Sequence, residues 1–299
     1  MNKQIKADIS LLLVTLGWGI SFILTKDTLD FMRPFNFIGI RFLTAFFLSA
    51  IFFHKRFKDL DKKTFKHALI LGIVLFIGYL FQTIGIQYTT VTNSGFITGF
   101  SVVIVPIISI FLLKHKPENS AILGTILAII GLSLMSIKPG FKINIGDTLT
   151  LISAFAFATH IILTGEFSKE GKPILIGVIQ IGVVGFLGFF STIFEGGFII
   201  PTEIIVWKNI LFLAIVCTAI AFIVQTVAQK YTTATHTALI YITEPVFAAI
   251  FAYFLINEKL DTQAIMGAAL ILIGMFNAEV FPNLKKYYIN KRNKRVKKI

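Results

Sequence analysis

The sequence predicts an all-α integral membrane protein with ten transmembrane helices arranged as a 5+5 inverted repeat. Three observations carry that prediction. Hydrophobic residues make up 56% of the 299-residue chain and charged residues only 14%, where a soluble domain carries roughly 25% charged. Apolar stretches of about 18–23 residues recur ten times, each enough to cross a ~30 Å hydrocarbon core as a helix. A segment also returns 143 residues later. Gln82-Thr83-Ile84-Gly85-Ile86-Gln87-Tyr88-Thr89-Thr90-Val91-Thr92 reappears as Gln225-Thr226-Val227-Ala228-Gln229-Lys230-Tyr231-Thr232-Thr233-Ala234-Thr235, identical at six of eleven positions. Five spans per copy is an odd number, so the second copy is expected upside down relative to the first, an architecture typical of carriers with alternating access.

The expected spans are 7–26, 34–53, 68–87, 93–113, 120–137, 147–165, 174–194, 208–229, 236–256 and 262–279. The first follows Lys3 and Lys6, an order that resembles a signal peptide. No small-x-small cleavage site follows Trp18-Gly19-Ile20-Ser21-Phe22, so the span reads as retained. The second carries Arg41, which can snorkel or pair with helix-end carbonyls. Spans three and eight hold the repeated segment. Spans four and nine hold Pro106 and Pro245, which do not coincide under the 143-residue offset: Pro245 maps to Val102, one helical turn from Pro106. Each proline removes a backbone donor and weakens its helix, giving either a gating kink or a static bend. Spans five and ten hold Gly124 and Gly131 against Gly267 and Gly274, the same spacing in each half. Small residues on one face let membrane helices approach closely, so these two spans read as packing elements. Near the start of each half the offset is 139, and Asp8 and Asp147 are expected to open the first helix of each half, where an acid suits the positive end of the helix dipole. The Pro/Gly connection Lys138-Pro139-Gly140-Phe141-Lys142 separates a first repeat, 7–138, from a second, 146–279. A basic cytoplasmic tail, 280–299, follows.

The formal charge of +13 orients the chain. With both termini in the cytoplasm, 21 of the Lys and Arg residues fall on cytoplasmic segments and six on outer ones, as the positive-inside rule requires. A multi-pass protein of the cell membrane is expected. The tail, directly after a span, fits anionic membrane lipid better than nucleic acid. The single Cys217 rules out a disulfide within the chain. No metal-ligand spacing, paired carboxylates, phosphate loop or ATP-binding motif is present, so the expectation is a non-enzyme, without cofactor or metal, working as a monomer or homodimer.

Polar side chains inside a membrane usually face the bundle interior or a wet cavity. Gln82 and Gln225 are repeat mates, and each amide can both donate and accept. Together they bind a polar solute near the midplane or hold helices together. Glu244, deep in span nine and directly before Pro245, is hard to keep ionised without a partner. It binds an amine group, carries a coupling proton, or forms a structural pair with Arg41 or His160. Its repeat mate is Ser101, so the acid breaks the symmetry. His160 reads as a packing residue or a ligand. Trp18, Tyr79 and Tyr241 lie deep enough to line a cavity or to pack. Asn93, Ser94 and Thr98 cap the fourth span or line a vestibule.

Several motifs stand in order on this duplicated frame: Trp18-Gly19-Ile20-Ser21-Phe22, Arg41-Phe42-Leu43-Thr44-Ala45, Gln87-Tyr88-Thr89-Thr90, Asn93-Ser94-Gly95-Phe96-Ile97-Thr98-Gly99, Gly146-Asp147, and Thr243-Glu244-Pro245-Val246-Phe247-Ala248 with Asn257-Glu258-Lys259. The combination resembles the drug/metabolite transporter superfamily and, within it, the EamA-type transporters, over nearly the whole chain. The resemblance implies a central cavity lined by spans one, three, four, six, eight and nine. That makes Trp18, Tyr79, Gln82, Thr98, His160, Gln225, Tyr241 and Glu244 the expected substrate-binding residues. It also implies a small-metabolite substrate, often an amino acid or related compound, with export common. Lys114-His115-Lys116-Pro117-Glu118 departs from the family pattern by lacking the Gly-Glu of many members, and Asn257-Glu258 keeps only the Glu. A lipid-carrier or nucleotide-sugar translocator of the same fold is the alternative, and it would need more basic residues than Arg41. A membrane-embedded enzyme or sensor is the alternative of a different class.

Overall fold

The computed structural model describes residues 3–113, 119–136, 144–257 and 262–279. These residues form ten helical rods, and no strand occurs among them. The first three rods are α1 (Lys3–Leu29), α2 (Pro34–Phe52) and α3 (Lys62–Gly85). The fourth is broken into α4 (Val91–Gly99) and α5 (Ser101–Leu113), and the fifth is α6 (Asn119–Ser136). In the second half stand α7 (Ile145–Glu170) and α8 (Pro173–Ser191). The eighth rod is α9 (Ile204–Ala214), a π-helical stretch Ile215–Ile220, and α10 (Ala221–Ala228). The ninth is broken into α11 (Ala234–Tyr241) and α12 (Glu244–Ile256), and α13 (Thr262–Glu279) is the tenth. Eight rods have the length and composition to cross a membrane, while α6 and α13 carry shorter apolar stretches, Asn119–Leu134 and Ile265–Asn277. Large apolar side chains face outward, as Phe52, Phe190, Phe194 and Phe254 do, while Arg41, Gln180 and Gln225 are buried. That inversion of a water-soluble surface marks a multi-pass membrane protein.

Helix contacts come in pairs exchanged by the repeat. Mates pack on mates: α2 on α8, and α6 on α13. Where α3 packs on α7, its mate α10 packs on α1; where α1 packs on α12, α7 packs on α5. One pseudo-two-fold operation therefore relates the halves, the 5+5 inverted repeat expected above. The spans five and ten do pack as expected. A Cβ built on Gly131 would lie 2.5 Å from the Gly267 carbonyl oxygen, and one on Gly274 would lie 2.8 Å from that of Gly124. Glycine is what lets the two backbones touch.

The connections define two faces. On one, Lys63 pairs with Glu170 at 3.0 Å and Lys172 with Asp61 at 3.2 Å, and Lys172 also donates to the Asp59 carbonyl. This is called the basic face below. On the far face, Lys26 donates to the Thr89 carbonyl at 2.7 Å and Thr89 Oγ1 donates to Asp147 at 2.6 Å. Asp147 also closes a capping box with Asn144 at the start of α7. Asp8 does not play the matching part, because α1 already begins at Lys3 and leaves Asp8 beyond its first turn.

The two broken rods break at equivalent places. The α4/α5 break is at Phe100 and the α11/α12 break at 242–243. At the mates Phe100 and Thr243 the amide reaches back only three residues, to Ile97 and Ile240, each at 3.1 Å. Pro245 lies in the first turn of α12, where its missing N–H would have no intrahelical partner. Pro106 lies inside α5, beyond the break. The interruption in the first half is thus made without a proline, and the two prolines do not mark equivalent points. The motif 114–118, most of the inter-repeat connection, Glu258-Lys259 and the tail 280–299 lie outside the described residues.

Candidate functional site

A cavity with about 560 Å³ of empty space, mouth included, opens between the two halves. All eight residues singled out in the sequence line it: Trp18, Tyr79, Gln82, Thr98, His160, Gln225, Tyr241 and Glu244. They come from α1, α3, α4, α7, α10, α11 and α12, the six rods implied by the family resemblance. Ser21, Gly99, Ser101, Phe157, Ile161 and Phe222 complete the wall.

The wall is built from repeat mates. Trp18/Phe157 and Ser21/His160 stand 139 residues apart, and Tyr79/Phe222, Gln82/Gln225, Thr98/Tyr241 and Ser101/Glu244 stand 143 apart. Twelve of the fourteen lining residues are thus six mated pairs, so the cavity straddles the pseudo-two-fold axis. Three pairs break the chemical symmetry in the same sense. In each, the first half supplies a small hydroxyl and the second a larger functional group: imidazole, phenol or carboxyl.

Both helix breaks serve this cavity. Ser101 opens α5 and Glu244 opens α12, so each is the first residue after its break. A carboxylate at Glu244 would sit at the positive end of the α12 dipole. Neither expected structural pair forms. His160 Nε2 bonds Gln180 Oε1 at 2.8 Å. Arg41 Nε donates to Thr218 Oγ1 at 2.9 Å, and its guanidinium lies 5.2–5.7 Å from the ring centres of Phe37, Phe42 and Tyr79. Arg41 is only 1% exposed. It therefore neither snorkels nor reaches a helix-end carbonyl; aromatic faces take up its charge instead.

The aromatic wall is locked in place. Trp18 donates its indole N–H to the Cys217 carbonyl at 2.9 Å and meets Tyr241 edge-on at 4.9 Å. Cys217 lies in the π-helical stretch, whose displaced ladder leaves carbonyls for other donors. In the same stretch Thr218 Oγ1 donates five residues back, to Leu213, and accepts from Arg41. The amide mates behave differently: Gln82 Nε2 donates to Thr98 Oγ1 at 3.0 Å, while Gln225 Nε2 donates to Gln229 Oε1 at 3.0 Å. The N-cap of α4 is Thr90, whose Oγ1 accepts from the Asn93 backbone N–H at 3.0 Å; Asn93 is not part of the wall.

Sequence reasoning missed Ser21, Phe157 and Phe222. Their signal was available, for each is the repeat mate of a residue already chosen. It also missed Gln180 and Gln229, which stand behind the wall: Gln180 is the mate of Arg41 under the 139-residue offset, while Gln229 is matched by the apolar Ile86.

Comparison with known proteins matches the duplicated frame. The EamA-like transporter family matches twice, over residues 5–137 and 144–278. An uncharacterized transporter of Archaeoglobus fulgidus is 36% identical over 278 residues, covering 91% of this chain and 85% of the relative. A protein of Escherichia coli named a probable amino-acid metabolite efflux pump is 25% identical over 285 residues, covering 89% of this chain and 92% of that one. One crystal structure superposes with a TM-score of 0.75 at 16% identity, covering 92% of this chain and 98% of the other; at that identity the likeness concerns the fold. With two family matches laid over its two halves, the chain belongs to the EamA-like transporter family.

Proposed function

We propose that the chain is a secondary transporter that moves a small metabolite, an amino acid or related compound, across the cell membrane by alternating access. The carrying observation is that twelve wall residues form six repeat-mated pairs around one cavity. A site on the axis between inverted repeats can be presented to either side by exchanging the conformations of the two halves. The eight lining residues named from sequence are the proposed substrate contacts. Glu244 is the proposed group for a substrate amine or a coupling proton. The helix breaks beside Ser101 and Glu244, with Pro245 and Pro106 on the following half-helices, are the proposed gating elements.

The basic face is assigned to the cytoplasm with both termini, following the Lys and Arg distribution. Near that face the wall residues His160 and Gln225 are buried, whereas Ser21 and Gln82, nearer the far face, are half-buried. This gradient supports a conformation closed towards the cytoplasm, and the relative named an efflux pump favours export. A nucleotide-sugar or lipid-phosphate substrate is disfavoured because no Lys or Arg among the described residues lines the cavity, and a polyphosphate needs such partners.

The test is flux in reconstituted vesicles with an imposed pH gradient, read with a metabolite panel. Glu244→Gln is expected to insert normally and lose gradient-driven transport. Unchanged flux with unchanged pH dependence would remove Glu244 from the coupling role.

A further inference from the structure

Two buried glutamines behind the wall decide which polar atoms the cavity can offer. Each belongs to a hydrogen-bond chain that ends on a backbone carbonyl, and a carbonyl can only accept. In the first chain, Gln229 Nε2 donates to the Ile161 carbonyl at 2.9 Å. Its Oε1 must then face Gln225 and accept from Gln225 Nε2 at 3.0 Å. Gln225 is left with Oε1, which is buried and has no hydrogen-bond partner.

In the second chain, Thr226 Oγ1 donates to the Phe222 carbonyl at 2.6 Å. It therefore accepts from Gln180 Nε2, at 3.1 Å. Gln180 Oε1 then faces His160 Nε2 at 2.8 Å, so that nitrogen carries the proton and Nδ1 keeps the lone pair of a neutral ring. Trp18 Nε1 is also spent, on the Cys217 carbonyl. The indole N–H of Trp18 and the Nε2–H of His160 are thus consumed inside the protein, as is one of the two N–H groups of Gln225. What these walls retain is weighted to acceptors: Gln225 Oε1, His160 Nδ1 and the Glu244 carboxyl, against one remaining N–H each on Gln225 and Gln82. The hydroxyls of the wall serve in either sense and do not discriminate.

We propose that this wiring makes the cavity an acceptor site selective for an organic amine, a cationic N–H donor on an apolar body, and that Gln229 and Gln180 are the positioning residues that set the selectivity. The inference rests on reading the cavity as the substrate site. A ligand ammonium supplies the N–H that the stranded Gln225 oxygen lacks, and an unmade buried hydrogen bond is costly. Trp18, Phe157, Phe222 and Tyr241 supply faces for a cation and its apolar body. A carboxylate ligand would face the unpaired acceptors of Gln225, His160 and Glu244 and would find its donors mainly among the wall hydroxyls. The Arg41 charge does not reverse this, because Arg41 is not part of the wall and lies against the Tyr79 ring.

The test is equilibrium binding to the full chain in lipid nanodiscs, with four probes of one shape: phenethylamine, its N-trimethyl derivative, phenylpropionate and phenylalanine. Phenethylamine is expected to bind about ten-fold or more tighter than the trimethyl cation, which has charge but no N–H, and tighter still than phenylpropionate. Gln229→Leu frees the Gln225 amide to turn its N–H outward. The preference for amine over carboxylate should then fall about ten-fold, where a merely structural loss would weaken every probe alike. Gln180→Leu, which frees the His160 tautomer, repeats the measurement should Gln229→Leu fail to fold. Tighter binding of phenylpropionate or phenylalanine than of phenethylamine overturns the proposal. So does an unchanged preference in both variants, or no binding by any probe at millimolar concentration. If amine selectivity persists intact in Trp18→Ala and Glu244→Ala, the amine site lies elsewhere, and it is the cavity reading that fails.

Discussion

Gly19 is where α1 touches the broken ninth rod, and adding one methyl group there tests how closely the site depends on that contact. A Cβ at Gly19 would lie 2.6 Å from Phe247 Cβ, 2.9 Å from the Ala248 nitrogen and 3.0 Å from the Phe247 carbonyl carbon. Two of those atoms are backbone, so no side-chain rotation relieves the clash. Restoring ordinary contact requires α1 and α12 to separate by about 0.8 Å. Overpacking of this kind costs about 1–3 kcal/mol. The displacement also carries Trp18, the preceding residue, away from Tyr241, whose ring centre lies 4.9 Å off. Gly17→Ala is the control on the same helix: its Cβ would lie 3.6 Å from Val216 Cγ1, an ordinary contact, so a change within about 0.5 kcal/mol is expected. The assay is thermal unfolding of the detergent-purified variants together with binding of phenethylamine. Gly19→Ala is expected to melt lower and bind more weakly than Gly17→Ala. Equal melting of the two would refute the claim that the α1–α12 backbone contact is tight.

Three further outcomes follow from the packing and polar contacts. Gly131→Leu should prevent α6 from seating on α13, because even its Cβ would meet the Gly267 carbonyl oxygen at 2.5 Å; loss of the folded peak in size-exclusion chromatography reads it. Gln180→Leu leaves His160 and the Thr226 hydroxyl without their side-chain partner, and should lower stability by about 1–3 kcal/mol, measured as a melting shift against Gln180→Glu. Asp61, outside the spans, accepts from the Thr64 amide at 2.7 Å and pairs with Lys172. The Thr64 hydrogen bonds first, then Lys172, hold its carboxyl below the ordinary 3.8. A depressed pKa contributes stability above the ordinary value and loses it as pH falls through the lower folded value. Asp61→Asn should therefore melt below the parent at about pH 6 and converge with it towards about pH 2.

Much of this architecture was legible in the sequence because membranes impose strict lengths and duplication leaves a direct trace. The Gln-Thr…Tyr-Thr-Thr echo locates α3 and α10, and the glycine pairs locate the α6–α13 contact. The intramembrane polar residues led to the cavity because lipid penalises them everywhere else. What escaped had no compositional signal, or emerges only when the repeat offsets are applied residue by residue. The break at Phe100 involves no proline or glycine at that position, only a backbone turn shared with Thr243. Gln180 sits among apolar residues of α8, and its mate under the 139-residue offset is Arg41, of a different chemical type. Its role depends on which atoms of His160 and Thr226 it meets, and those lie 20 and 46 positions away. Phe157 and Phe222 were hidden by the abundance of phenylalanine, 32 residues in all, until the repeat offsets are applied to Trp18 and Tyr79.

The claim that the mated cavity is a path open in turn to both sides is tested most directly by thiol accessibility. Cys217 is the only native cysteine and is buried, so Cys217→Ala provides a blank background. In it, Ser101→Cys places a single thiol on the cavity wall. Right-side-out and inside-out vesicles are then exposed to a membrane-impermeant maleimide. The account predicts labelling from both sides, with Tyr79→Cys and Phe222→Cys following the same pattern. Labelling of all three in only one of the two vesicle preparations would contradict alternating access through this cavity.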